Sequence, residues 1–214
     1  MLKYRRALMA VAALSFGTVC LTTVSAAQGR LPAIPESAMT PDQRNALVEF
    51  RAARGVEELF GPFIPLMHSP ELMSRSRAMG DYLRYRSSLP PRLSEFVILL
   101  TSREWTQQYE WYVHYPNALK AGVDPKLALA IAEGRRPDNM ADDEVLLYEF
   151  FHELQRNRSI SDVTYARMVE KFGEKGVVDT LGIIGYYTLL AMVLNTARTA
   201  LPAGVPLPLP SLPN

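Results

Sequence analysis

Five consecutive apolar residues, Phe96-Val97-Ile98-Leu99-Leu100, stand near the middle of the chain, followed by the uncharged pair Thr101-Ser102. On an α-helix such a run points to every side, so a helix carrying it has no face left for water and must be central. A buried strand could carry the same run; the leucines and the length from Arg92 to Trp105 favour helix. A helix covered all round needs others to cover it, and the flanking sequence offers them. Thr40-Pro41-Asp42-Gln43 reads as a capping box with proline at the first helical position, opening a helix to Arg54 before Gly55. Ser69-Pro70-Glu71 opens a second, reaching about Tyr85, after a stretch interrupted by Gly61, Pro62 and Pro65. Further helices are expected over Gln107 to Lys120, closed by Gly122, and over Pro125 to Glu133, closed by Gly134. Asp142 to Arg156 places Val145, Leu146, Tyr148, Phe151 and Leu154 on one inner side. Ser161-Asp162 caps a helix ending near Gly173, and the last runs from about Val177 to Arg198. No run alternates in the manner of a strand, so the fold class is all-α.

The last helix holds fifteen uncharged residues, Thr180 to Leu194, with Gly182 and Gly185 among them. This falls short of the roughly 20 residues a membrane span needs, so it reads as a buried helix or a subunit contact. A homo-oligomer is therefore expected. Residues 40–200 form a single domain, preceded by an extended arm over 28–39 and followed by a Pro-rich extended tail over 201–214.

Residues 1–27 read as a secretory signal peptide. Lys3, Arg5 and Arg6 precede an uncharged stretch that ends in Val24-Ser25-Ala26-Ala27. Cys20, the one cysteine, follows Gly17-Thr18-Val19, which is unlike a lipoprotein box. Export to the periplasm or the exterior is expected, leaving a thiol-free chain in which disulfides and thiolate catalysis are excluded. Cleavage of 27 residues from 214 leaves 187, and removes three of 23 basic residues against 22 acidic ones, for a mature charge of −2. Neither nucleic acid nor an anionic membrane is expected as a partner, because both demand clustered Lys and Arg.

The stretch that carries chemistry is Gln107-Gln108-Tyr109-Glu110-Trp111-Tyr112-Val113-His114. At helical spacing Gln107, Glu110, Trp111, His114 and Ala118 share one side, while Trp105, Tyr109, Tyr112 and Val113 share the other. Glu110 and His114 are one turn apart, close enough to hydrogen-bond, and a carboxylate beside an imidazole fixes its tautomer. Such pairs also occur on solvated helix faces and within cores. A second acid, Glu95, lies nineteen residues before His114. If the two helices pack as a hairpin it reaches the same place; otherwise it is a first-turn acid favoured by the helix dipole. His68 and His152 are isolated, no H-E-x-x-H or similar cluster is present, and no metal or cofactor is expected.

Three segments together resemble the carboxymuconolactone decarboxylase and alkylhydroperoxidase-D-like (AhpD-like) family. They are Pro91-Arg92-Leu93-Ser94-Glu95-Phe96-Val97-Ile98-Leu99, then Tyr109-Glu110-Trp111-Tyr112-Val113-His114, then Ala118-Leu119-Lys120-Ala121-Gly122-Val123. The resemblance implies an AhpD-like helical domain built around a helical hairpin, assembled as a trimer or hexamer. Peroxidase members carry C-x-x-C, with the second cysteine four residues before the histidine. Gln107 and Glu110 hold those positions here, which disfavours thiol peroxidase chemistry, while Glu95 and His114 match the proton-relay pair.

The decarboxylase branch needs neither thiol nor cofactor. The resemblance thus points to a lyase or isomerase acting on a small carboxylated or lactone-like molecule. His114 would be the general acid/base, with Glu110 or Glu95 orienting it; Gln107 would bind a polar substrate group and Trp111 wall the pocket. The alternative is a non-catalytic binding or assembly module on the same fold.

Overall fold

A computed structural model describes residues 29–211; the expected signal peptide lies outside them. Among the described residues eight α-helices follow in order: α1 (Pro41–Arg54), α2 (Phe63–Leu66), α3 (Pro70–Tyr85), α4 (Pro91–Glu104), α5 (Gln108–Ala121), α6 (Pro125–Ala132), α7 (Asp142–Asn157) and α8 (Asp162–Ala197). Among the described residues there is no strand, so the fold is all-α.

The helix ends follow local chemistry. Thr40 and Gln43 exchange both capping-box hydrogen bonds, and Gly55 closes α1 in the left-handed region at φ 65°. Gly122 closes α5 likewise, at φ 100°, a backbone that side chains resist. Within α8, Gly173 has φ 69° and ψ 170° and bends the chain where a helix end was expected, yet helix resumes on both sides. The one-turn α2 was not expected. Its Phe63 is clustered with Phe50 and Phe60 at centroid distances of 5.0 and 5.6 Å, which fixes the turn by tertiary contact rather than by propensity.

α4 occupies the centre, as its apolar run requires. Every residue from Leu93 to Arg103 is buried, with α5, α8, α7 and α6 packed around it. Removing a side chain such as Phe96 from this position typically costs about 3–5 kcal/mol. α8 is long and apolar enough to cross a membrane by length and composition alone. Here its Ile183, Tyr187, Leu190, Ala191 and Leu194 are buried in the core, while Val178, Leu181 and Met192 face outward.

Polar ties set the helices in register. Arg92 of α4 bonds Asp143 at 2.7 Å and also pairs with Glu144 at the start of α7. Asp179 of α8 accepts from Tyr82 at 3.0 Å, from the Ser88 backbone at 2.7 Å, from the Ser88 hydroxyl at 2.8 Å and from Lys175 at 2.6 Å. The ends of the domain are pinned too. His68 hydrogen-bonds the Pro32 carbonyl at 2.9 Å, and the arm contains a short 3-10 turn at Glu36–Ala38.

The Pro-rich tail is docked. Leu209 is buried, and the Gln108 amide donates to its carbonyl at 3.0 Å and accepts from its N–H at 2.9 Å. Arg103, buried on α4, donates to the carbonyls of Ala132 at 3.0 Å and Pro210 at 2.8 Å.

Candidate functional site

α4 and α5 are joined by the short link Trp105–Gln107, and this hairpin builds the site. Thr106 takes a left-handed backbone (φ 46°), and the Gln107 N–H returns to Ser102 O at 2.8 Å, reversing the chain tightly. Gln107 then caps α5: its Oε1 accepts from the Tyr109 N–H at 2.6 Å and from Glu110 N–H at 3.3 Å. Its Nε2 donates to Asn195 of α8 at 2.9 Å, and Asn195 in turn donates to Trp105 O at 3.1 Å. The amide expected to bind substrate thus caps α5 with its oxygen and ties the hairpin to α8 with its nitrogen, and Gln107 does not line the cavity described below.

With the hairpin fixed, Glu95 of α4 faces His114 of α5, and Glu95 Oε2 lies 2.7 Å from His114 Nδ1. Nε2 is the ring nitrogen left for a ligand. The pairing left open between two acids falls to Glu95, because it reaches across the hairpin. Glu110 makes no bond to His114. Both of its carboxyl oxygens are buried without a hydrogen-bond partner, and burial pushes its pKa well above the ordinary carboxyl range. Its protonated form, favoured by this burial, can donate a hydrogen bond.

Glu110 and His114 open onto a cavity of about 110 Å³. Tyr109 and Val113 of α5 also line it, with Phe60, Pro62 and Phe63 around α2, Tyr186, Tyr187 and Leu190 of α8, and Arg54 and Arg84. Tyr187 meets the His114 ring edge-on, with centroids 4.9 Å apart and planes at 85°. Burial raises the Tyr187 hydroxyl well above its usual range and pushes that of Tyr186 up to about 12, so both phenols stay protonated.

Of the five residues read from the sequence, the structure brings His114, Glu95 and Glu110 together. Trp111 is buried and stacks on Tyr115 at 6.1 Å, away from the cavity lining. Arg54, Arg84, Tyr186 and Tyr187 were missed. The only trace of them is Arg77, Asp81 and Arg84 at helical spacing on α3, a charged stripe easily taken for a solvated face. His152 packs on Tyr148 at 4.2 Å, and among the described residues no three His, Cys, Asp or Glu side chains group as a metal site would.

No protein-family model matches the sequence, and no curated protein matches it. Among solved structures the fold is similar to the alkylhydroperoxidase AhpD core of an uncharacterized peroxidase-related protein from Ralstonia eutropha JMP134. The likeness has a TM-score of 0.64 at 17% identity and covers 81% of this chain and 92% of that one. At that identity it establishes architecture and leaves chemistry to the site: the chain has an all-helical, AhpD-like fold.

Proposed function

We propose that this chain is a cofactor-independent lyase, a decarboxylase, or an isomerase, moving a proton with His114 on a small carboxylated or lactone-like substrate. The supporting observation is the 2.7 Å bond between Glu95 Oε2 and His114 Nδ1 at the edge of a largely apolar cavity. Glu95 fixes the tautomer, so that Nε2 delivers or takes the proton. In a decarboxylation the C–C bond breaks, CO2 leaves, and the electron pair passes into a conjugated carbonyl group. The carboxyl group of Glu110, in the protonated form that burial favours, is suited to hydrogen-bond that oxygen as its charge grows. His114 then protonates the carbon left behind. In an isomerisation the same imidazole removes a proton from one carbon and returns it to another.

The assembly we propose is a homo-oligomer, trimer or hexamer, joined through the outward apolar side chains of α8. Disulfide peroxidase chemistry is disfavoured, because Gln107 and Glu110 stand where the resemblance would require thiols.

The test is turnover of small lactones, muconates and aromatic acids by the wild type and by His114→Gln, which keeps polarity but cannot shuttle a proton. The variant should lose about 10²-fold or more while melting at nearly the same temperature. Normal turnover in a folded His114→Gln would sink the reading, and unfolding would make His114 a core histidine.

A further inference from the structure

Arg54 enters the cavity from the end of α1 and Arg84 from the end of α3. Their surroundings differ. Arg54 Nη2 lies 2.8 Å from Asp81 Oδ1, but Asp81 also takes Arg77 Nη1 at 2.7 Å, so one carboxylate serves two cations. Arg84 has less. Its nearest carboxylate oxygen is Glu95 Oε1 at 4.0 Å, and the other oxygen of that group is committed to His114. The Arg84 side chain is only 24% exposed, with its guanidinium 5.3 Å from the centre of the Tyr85 ring. Three cations, Arg54, Arg77 and Arg84, thus share two paired carboxylates, Asp81 and Glu95. A poorly solvated, underpartnered guanidinium is costly alone and forms strong two-pronged pairs with carboxylates.

We propose that Arg84, supported by Arg54, is the anion-binding residue of this cavity, and that its ligand is a ring-sized molecule bearing a carboxylate, whose uncharged oxygen meets the carboxyl group of Glu110. The cavity, about 110 Å³ and open to solvent, is of the same order as the ~150 Å³ closed cavity that accommodates benzene, so it admits about one ring, with the rest of the ligand at the mouth. Both oxygens of Glu110 lack a protein partner, so a ligand acceptor satisfies a group that the fold leaves open. A carboxylate held by a guanidinium is stabilised as the ground-state anion. It is a handle that orients the ligand, and any carboxylate lost as CO2 must sit instead against apolar residues such as Phe63 and Leu190.

This inference rests on the acid–base reading of the same cavity but is tested without turnover. Calorimetric titration with benzoate and with benzamide compares ligands of nearly equal shape and different charge. The wild type should bind benzoate about ten-fold or more tighter than benzamide, and Arg84→Met should erase that preference. Should Arg84→Met fail to fold, Arg84→Gln carries the same comparison. His114→Gln should retain the preference, because holding the anion needs no proton transfer. An Arg84-dependent preference beside His114-independent turnover would remove the proposed reaction and leave the binding residue standing. Equal affinity for the two ligands, an unchanged preference in a folded Arg84 variant, or no benzoate binding by about 10 mM would overturn the proposal.

Discussion

Glu95 and His114 meet at 2.7 Å across the α4–α5 hairpin, while Glu110, one turn before His114 on its own helix, bonds to neither. Two carboxyl groups within one site therefore have different surroundings. One holds an imidazole nitrogen, and the other is shut away from water and partners. Different surroundings assign different work to chemically identical groups.

Glu95→Gln should cost more activity than Glu110→Gln. An amide at position 95 can donate to Nδ1 as readily as accept, which unlocks the tautomer, and a loss on the order of 10²-fold in kcat is expected. Glu110→Gln keeps a neutral donor of the same size, so about ten-fold or less is expected. Steady-state kinetics on one substrate checks both, and the reverse ranking would exchange the two roles.

Stability should depend on pH through two groups of opposite sign. Glu110 binds its proton more tightly folded than unfolded, so its contribution is complete below 4.5 and is lost as pH rises toward its raised folded value. For Asp179, burial alone would raise the pKa, but the bonds from Lys175, Ser88 and Tyr82 outweigh it and hold the group at about 2. Its contribution is present above 3.8 and is lost as pH falls from there toward 2. Melting temperatures across pH should show Glu110→Gln flattening the decline as pH rises above 4.5 and Asp179→Asn flattening the decline as pH falls below 3.8.

Gly80→Ala should destabilise the protein even though alanine is the better helix former. A Cβ at position 80 would lie 2.3 Å from the Tyr186 hydroxyl oxygen and 2.5 Å from its Cζ, and the Tyr186 ring is buried. Overpacking of this kind costs about 1–3 kcal/mol against roughly 1 kcal/mol gained in propensity. Denaturant unfolding measures the balance. An unchanged midpoint would mean that the ring moves freely.

Leu209→Ala should cost about 2 kcal/mol, the low end for a buried leucine, because the site lies on the surface of the bundle. Gln108→Ala removes both amide bonds to Leu209 and should expose the tail to proteolysis. A tail equally resistant in both variants would mean that docking does not depend on the clamp.

Association should depend on α8. Val178 is 66% exposed, Leu181 39% and Met192 42%, and a Cβ at Gly185 between them would meet nothing within 4 Å. Val178→Glu combined with Leu181→Glu should reduce the light-scattering mass to that of one chain. A wild type that is already monomeric, and stays so on dilution, would remove the proposal.

The helices could be read because their signals are local. The Thr40 capping box, the glycines at 55 and 122, and the run Phe96 to Leu100 each act within a few residues. His114, Glu95 and Glu110 were legible for the same reason, since one hairpin carries them. The tie from Gln107 to Asn195 was not legible, because the two are 88 residues apart and no spacing rule connects them. Arg54, Arg84 and Tyr187 reach the cavity from three other helices, and their placement depends on tertiary packing. The docked tail escaped notice because Leu209 between prolines has no periodicity.

The carbonyls that receive Arg103 belong to Ala132 and Pro210, 29 and 107 residues further along the chain. As the polypeptide grows from its N-terminus, the central helix is made long before the second of these acceptors exists. Until then the guanidinium has only the Ala132 carbonyl and the Thr106 hydroxyl as partners, and the Pro210 carbonyl completes its set. This contact closes a loop of 107 residues, so the central helix gains its last polar partner from the very end of the domain.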